Sequence, residues 1–326
     1  MRYLLNPCTD PHRNMAFDEF CLEQLPLDEP VFYLWRNRPS VIIGLNQNAY
    51  GEVNLRFLEE KGITLARRVT GGGAVYHDLQ NRNYTIVGRS ADLERDYPGY
   101  MGYVVEALRG LGVPAVLSGR NDIMVGGRKV SGYAKRVWHD RLMVHGTLMY
   151  DVDLDTLMLA LSVPGSKMVS SGIPSVHSKV ANLKDYLPQF PTLDAFQAAL
   201  QLILAEDSAQ VCLDDSQEAE IDRIAREKFA SREWNLGRSP QTDFVRSEKY
   251  PCGTVEARFT VVRGVITEVD FGGDFLGDRP AAELASALAG CAYEPGAVRS
   301  ILDAHDPGRY FDGLDSETLT KLLCDI

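Results

Sequence analysis

Residues 67–78 read Arg67-Arg68-Val69-Thr70-Gly71-Gly72-Gly73-Ala74-Val75-Tyr76-His77-Asp78. A β-rich run, Ile63 to Arg67, ends in two arginines and enters three glycines. A second strand-like run, Ala74 to His77, follows at once. Bare glycines let a ligand approach the backbone closely and expose N–H groups to an anion. A neighbouring arginine adds charge-assisted, bidentate hydrogen bonds to phosphate or carboxylate. The glycine spacing and the missing lysine exclude both a Walker A loop and a dinucleotide fingerprint. Three glycines alone favour a plain flexible turn. The arginines on one side and the strand on the other turn the reading toward an anion site.

Upstream, Asn14 to Leu25 carries Met15, Phe17, Phe20, Cys21, Leu22 and Leu25, close to a helical stripe, which Pro26 and Pro30 stop. Val31 to Trp35 and Ser40 to Gly44 are β-rich runs split by Pro39, and the pattern predicts that they pair with each other. Phe57 to Lys61 reads as a short helix. Downstream, Tyr84 to Gly88 is a strand and Tyr97 to Leu111 a helix closed by Gly112. Asp122 to Val125, Gly126-Gly127 and Arg128 to Tyr133 form a hairpin with a two-residue loop. Leu142 to Tyr150 is a further strand, and Asp155 to Leu161 a helix. Residues 191–230 are largely helical. The polar stretch Trp234 to Asp243, with Gly237 and Pro240, is the candidate linker. Beyond it lie a hairpin, Val255 to Val262 and Val265 to Phe271 around Arg263-Gly264, and helices at Arg279 to Leu288 and Glu317 to Leu323.

Two further segments carry polar groups on strands. The first runs Ser118-Gly119-Arg120-Asn121-Asp122 and continues into Arg128-Lys129-Val130-Ser131-Gly132-Tyr133-Ala134. Strict alternation puts Lys129 and Ser131 on one face, with Arg128 and Val130 opposite. An ammonium on an inward face neutralises phosphate or developing acyl charge; on an outward face it is a solvated lysine. The second, Leu142-Met143-Val144-His145-Gly146-Thr147-Leu148, centres on a histidine. A lone strand histidine is usually a satisfied structural residue, so His145 is read as structural, as are His77 and His139; no His/Cys/Asp group has zinc-ligand spacing. There is no GxSxG elbow.

The 326 residues allow one large and one small domain, with 45% hydrophobic residues for the cores. The net charge of -11 argues against general nucleic-acid binding and leaves room for a local nucleotide pocket. No apolar run approaches bilayer length, and the start MRYLLNPCTD lacks signal-peptide regions. The six scattered cysteines contain no CxxC pair and read as reduced thiols, so a cytoplasmic location is expected.

Taken together, these segments resemble the lipoate–protein ligase A family. The match runs essentially from end to end. It includes Leu34-Trp35-Arg36-Asn37, Val41 to Gly44, the Arg67–Asp78 run, Ser118 to Asp122, Lys129 to Gly132 with Ala134, and His145 to Leu148. Ser175-Val176-x-Ser178-Lys179-Val180-x-Asn182-Leu183 and Trp234-Asn235-x-Gly237 complete it. The resemblance implies an α/β (α+β) fold. Residues 1–240 would form a catalytic domain shared with biotin–protein ligases, with mixed sheets flanked by helices. Residues 246–326 would form a small α+β accessory domain.

It also implies a reaction in two halves. Lipoate attacks the α-phosphate of ATP, with Mg2+ as activating ion, and the lipoyl-adenylate is then transferred to an acceptor lysine. The acceptors would be lipoyl domains of 2-oxoacid dehydrogenases or a glycine-cleavage H protein, and a monomer is expected, with neither nucleic acid nor membrane as partner. Arg68 and the Gly71-Gly72-Gly73-Ala74-Val75-Tyr76 segment would contact the adenylate. Lys129 would grip the lipoyl carbonyl and the α-phosphate as the catalytic residue. Asn121 and Asp122 would shape the adenylate or magnesium site, no metal ligand being assigned directly. Trp35 would line the lipoyl slot or simply pack in the core. The sequence departs from the family at the tight Gly126-Gly127 turn and at His177, where arginine is common. The rivals are octanoyl or lipoyl transfer through a cysteine thioester, biotin–protein ligation, and non-catalytic binding of lipoyl-adenylate or a lipoyl domain. Thioester chemistry needs a thiolate near the lysine, and no cysteine occurs from 22 to 211.

Overall fold

The computed structural model describes residues 1–96, 100–118, 122–162, 179–205, 208, 210–237 and 242–324. These form two compact units, Met1–Gln47 with Glu52–Ser231, and Asn48–Gly51 with Arg232–Ile326.

In the first unit an eight-stranded mixed sheet runs in the order β11-β1-β2-β6-β10-β9-β8-β7. Its strands are β1 (Arg2–Leu4), β2 (Val31–Trp35), β6 (Asn81–Arg89), β7 (Val116–Ser118), β8 (Asp122–Val125), β9 (Arg128–Trp138), β10 (Arg141–Met149) and β11 (Gln210–Val211). A second sheet, β4-β3-β5, is built from β3 (Ser40–Ile43), β4 (Thr64–Arg67) and β5 (Val75–His77). The fold is α/β. The predicted pairing of the Val31 and Ser40 runs does not occur. β2 pairs with β1 and β6, whereas β3 pairs with β4 and β5. Pro39 therefore separates two sheets, where the local pattern had suggested a hairpin.

Side-chain alternation gives the large sheet two different faces. Phe32, Leu34, Tyr84, Ile86, Val144 and Val130 belong to one core with Val104, Val105 and Leu108 of helix Tyr100–Gly110 and Phe196, Leu200 and Leu204 of helix Leu193–Ala205. The predicted Tyr97 helix thus begins at Tyr100 among the described residues, and a separate helix, Ser90–Asp96, precedes it. The opposite face carries Tyr33, Trp35, Asn83, Thr85 and His145. It is covered by the first helix, Pro11–Glu23, which starts earlier than the apolar stripe suggested. Asp10 caps that helix by accepting from Arg13 N, and Pro11 takes the first turn, where its missing N–H costs nothing. The helix is buried nearly all round because it packs against β4, β6 and β10 and also against helix Asp215–Ile224.

The predicted hairpin at Gly126-Gly127 forms, with φ of 56° and 76° that suit a primed turn. One detail differs from strict alternation. β8 pairs Ile123 with Ser131 but Met124 with Lys129, so Val130 is an extra residue in a β-bulge. Val130 and Ser131 are both buried, and the alternation restarts after them. Lys129 consequently shares its face with Gly132, and the expected pairing of Lys129 with Ser131 is lost.

The second unit is a three-stranded meander, β12 (Thr242–Tyr250), β13 (Gly253–Val262) and β14 (Val265–Gly273), with helices Ala281–Leu288, Pro295–His305 and Ser316–Cys324. Arg263 and Gly264, at φ 50° and 73°, turn its second hairpin as predicted. β12 and helix Pro295–His305 were not visible in the pattern. Part of the expected linker is ordered: Glu233–Gly237 forms a π-helical turn with Trp234 and Asn235 buried. Tyr50 packs edge-on to Phe244 and Tyr293, which groups Asn48–Gly51 with this unit. No helix of the described residues is long and apolar enough to cross a membrane.

Candidate active site

On the face opposite the helical core, strand register lines up side chains in rows. Trp35 pairs with Asn83, and Asn83 with Thr147. The Thr147 hydroxyl accepts from Gly132 N at 3.3 Å, and Gly132 pairs with Asp122. One step along, Tyr33, Thr85, His145 and Ala134 form a second row. A cavity follows these rows, lined by Trp35, Asn83, Thr147, Gly132, His145 and Ala134 from the sheet and Met15 from the first helix. Ile42, Arg68, Gly72, Gly73, Ala74, Val75 and His77 line it from the smaller sheet and its loop, and Lys129 also lines it. From Trp35 on β2 to Gly132 on β9 is three strand spacings, about 14 Å.

Lys129 lies at the β9 end. Its backbone is held from outside the sheet: Lys129 N donates to Lys179 O at 2.8 Å, and Ala181 N donates to Lys129 O at 2.9 Å. The 179–181 segment of the motif therefore serves as a brace for the lysine strand. The Lys129 ammonium forms an ion pair with Asp122, its Nζ 2.7 Å from Oδ1. Its Nζ lies across Gly132, where an added Cβ would stand only 2.9 Å away. The bulge makes this possible by putting residues 129 and 132 on the same face.

The glycine loop owes its shape to the two arginines. Arg67 is fully buried and donates through Nη1 to the carbonyls of Gly44, Leu45 and Gln47 at 3.0, 3.1 and 2.6 Å. Arg68 donates to Ile42 O at 3.0 Å, Gly71 O at 2.7 Å and Gly73 O at 2.8 Å, with its Nε on the Thr70 hydroxyl at 3.0 Å. In a trans peptide the N–H points opposite to the preceding C=O. Turning the Gly71 and Gly73 carbonyls toward the guanidinium therefore turns the Gly72 and Ala74 N–H groups away from it. Burial lowers the Arg68 pKa to about 10, which leaves it charged at neutral pH. Gly72 sits at φ 94°, and its carbonyl packs against Gly44, where a Cβ would come within 2.1 Å.

A buried polar chain joins this loop to the first helix. Thr70 Oγ1 lies 2.7 Å from His145 Nε2, and His145 Nδ1 lies 2.6 Å from Asp18 Oδ2. Tyr33 OH and Thr85 Oγ1 donate to the other Asp18 oxygen at 2.6 and 3.2 Å, and Trp35 Nε1 donates to Thr85 Oγ1 at 2.9 Å. Asp18 is 1% exposed, and a buried carboxylate is tolerable only with this kind of multiple pairing.

Of the residues singled out from sequence, the cavity brings together Trp35, Arg68, Gly72, Gly73, Ala74, Val75 and Lys129. Asp122 reaches it through the Lys129 ion pair. Gly71 and Tyr76 are not among the lining residues. Tyr76 alternates to the far face of β5 and is buried there, which pushes its phenol pKa up. Asn121 and His177 lie outside the described residues. His145 and His77, read as structural, both line the cavity. Asp18, Asn83 and Gly132 were missed, although the acidic pair Asp18-Glu19 inside an apolar helical stripe is a signal for Asp18. Among the described residues no three His, Cys, Asp or Glu side chains gather as a metal site.

Comparison with known proteins gives concordant results. Residues 10–205 match the lipoyl protein ligase A/B catalytic domain, and residues 239–323 match the bacterial lipoate protein ligase C-terminus. The chain is 37% identical to lipoate–protein ligase 1 of Staphylococcus aureus, covering 98% of each chain. It is 36% identical to lipoate–protein ligase LplJ of Bacillus subtilis, over 96% of this chain and 97% of the relative. A bipartite lipoate protein ligase of Thermoplasma acidophilum, described with its E2 lipoyl domain, superposes with a TM-score of 0.66 at 30% identity, over 73% of this chain and 96% of that one. A lipoate–protein ligase A bound with ATP gives 0.64 at 30% identity, over 73% and 98%. A T. acidophilum protein with bound lipoic acid gives 0.63 at 29% identity, over 72% and 98%.

Proposed function

The chain belongs to the lipoate–protein ligase family of enzymes, and on that premise we propose that it activates lipoate with ATP and transfers the lipoyl group to a lysine of an acceptor protein. The observation that carries this reading is the cross-strand cavity with Lys129 at one end and Trp35 at the other. An extended medium-chain acid fits that span with its carboxylate at Lys129 and its ring near Trp35.

In the first half-reaction a lipoate carboxylate oxygen attacks the α-phosphorus of ATP. The bond to the bridging oxygen breaks, and pyrophosphate leaves. Charge grows on the α-phosphate oxygens, and the Lys129 ammonium together with the Gly72 and Ala74 N–H groups stabilises it. The Asp122 carboxylate keeps the ammonium at the cavity until phosphate arrives. In the second half-reaction the unprotonated acceptor amine attacks the lipoyl carbonyl carbon. The C–O bond to the phosphate breaks, AMP leaves, and the amine nitrogen loses a proton. Lys129 polarises the carbonyl in that step. The neighbours that carry ATP or lipoic acid, and the one described with an E2 lipoyl domain, support this choice of ligands and acceptor. Asp122 supplies one hard carboxylate of the kind that holds Mg2+ against nucleotide phosphates, and a bound ion would offset the charge of the leaving pyrophosphate.

The test is a mixture of purified protein, ATP, Mg2+, lipoate and an apo lipoyl domain, read by intact mass of the acceptor. One lipoyl group is gained only when ATP is present, and Lys129→Ala slows the gain by roughly a hundredfold or more. An equal gain without ATP overturns the proposal in favour of acyl transfer.

A further inference from the structure

The Trp35 end of the cavity is not uniformly apolar. Asn14 Nδ2 lies 3.1 Å from each of two backbone carbonyls, Cys8 O and Arg36 O, so that nitrogen must be the donor. It also donates to Asn37 Oδ1 at 2.7 Å, which fixes the Asn37 amide and leaves its Nδ2 facing His77 Nδ1 at 3.0 Å. His77 Nδ1 must then accept. His77 is 3% exposed, and burial, with Arg68 and His145 nearby, lowers its pKa to about 3, so the ring is neutral at physiological pH. A neutral ring that accepts at Nδ1 carries its hydrogen on Nε2. Among the described residues that Nε2–H has no partner. Asn83 Nδ2, in the same cavity, also has none. The His77 and Trp35 ring centroids are 6.0 Å apart, which puts the imidazole at the tail end of the slot, three strands from Lys129.

We propose that the His77 Nε2–H is a specificity determinant that donates to a ring sulfur of the bound dithiolane and so favours lipoate over a saturated acid of equal length. This rests on the lipoate-ligase reading given above. A buried donor without a partner carries a desolvation penalty that a sulfur acceptor relieves and a methylene does not. A saturated chain would enter the slot but leave the donor orphaned.

The experiment uses the full chain and separates sulfur from shape. Lipoate and 5-cyclopentylpentanoate, which keeps the ring and lacks both sulfurs, are titrated calorimetrically into wild type and His77→Phe. Wild type binds lipoate about tenfold more tightly, and in His77→Phe the gap closes to within roughly twofold. The ratio of kcat/KM for lipoate and octanoate in ATP-dependent acceptor labelling falls in parallel. Equal affinity of wild type for the two ring acids overturns the inference, and this needs no variant to fold. So does a gap that survives intact in His77→Phe. A wild type that labels no acceptor from lipoate and ATP would sink the proposed function instead, which keeps the two failures apart.

Discussion

At the scale of single residues the site couples buried charge to a fixed backbone. His77 shows how that coupling becomes a pH dependence. Unfolded, an imidazole takes up its proton near 6.5; in the fold, burial holds its pKa at about 3. Between those values the unfolded chain binds more protons, so stability falls as pH drops through the window and is unaffected well above it. Going from pH 7 to pH 5, this group should cost the protein about 2 kcal/mol. Urea unfolding of wild type and His77→Gln at both values isolates the effect, because other titrating groups cancel in the comparison. Wild type should lose more stability than the variant by that amount, and equal losses would mean the buried ring titrates normally. The sequence marked His77 only as a strand histidine. Its tautomer depends on Asn14 and Asn37, which reach it through the fold and through backbone carbonyls that no sequence pattern reveals.

At the scale of elements, the motif-rich strand ends and the two tight hairpins were legible, and the strand partners distant in sequence were not. The Gly126-Gly127 hairpin, the Arg-Arg strand and its glycine loop follow from local chemistry, namely positive φ and bare backbone. Whether β2 meets β3 or β6 depends on contacts far along the chain, and so does the bulge at Val130. That bulge makes Gly132 the neighbour of Lys129, and the consequence is testable. In Gly132→Ala the new methyl meets the far end of a flexible side chain, 2.9 Å from Nζ and 3.0 Å from Cε. The fold should tolerate it, with Tm within about 2 °C of wild type. The displaced ammonium should slow lipoyl-adenylate formation by roughly tenfold or more. If the glycine acts only through the lysine, Gly132→Ala adds nothing on a Lys129→Ala background. A further loss there would mean the methyl blocks the ligand itself.

At the scale of the whole molecule, the grouping of Asn48–Gly51 with the C-terminal unit was hidden, since the aromatic partners of Tyr50 lie far away in sequence. The distribution of thiols, by contrast, was plain from the start and gains force from the structure. All six cysteines are free, and none lines the cavity. Cys8 is half-buried, with its Sγ accepting from Asp10 N at 3.3 Å. Cys21 is fully buried in the first helix, where desolvation, with Asp18 nearby, raises its thiol pKa well above normal. A thioester route needs a thiolate that can reach the acyl carbonyl, and neither cysteine meets that requirement. Treating the native protein with iodoacetamide should therefore leave ATP-dependent acceptor labelling within about twofold of the untreated rate, even where the exposed Cys212 is fully alkylated. The check is a paired reading of enzyme mass, to count modified thiols, and acceptor mass, to follow labelling. Activity that disappears in step with modification of Cys8 would bring a cysteine thioester beside Lys129 back into the reading.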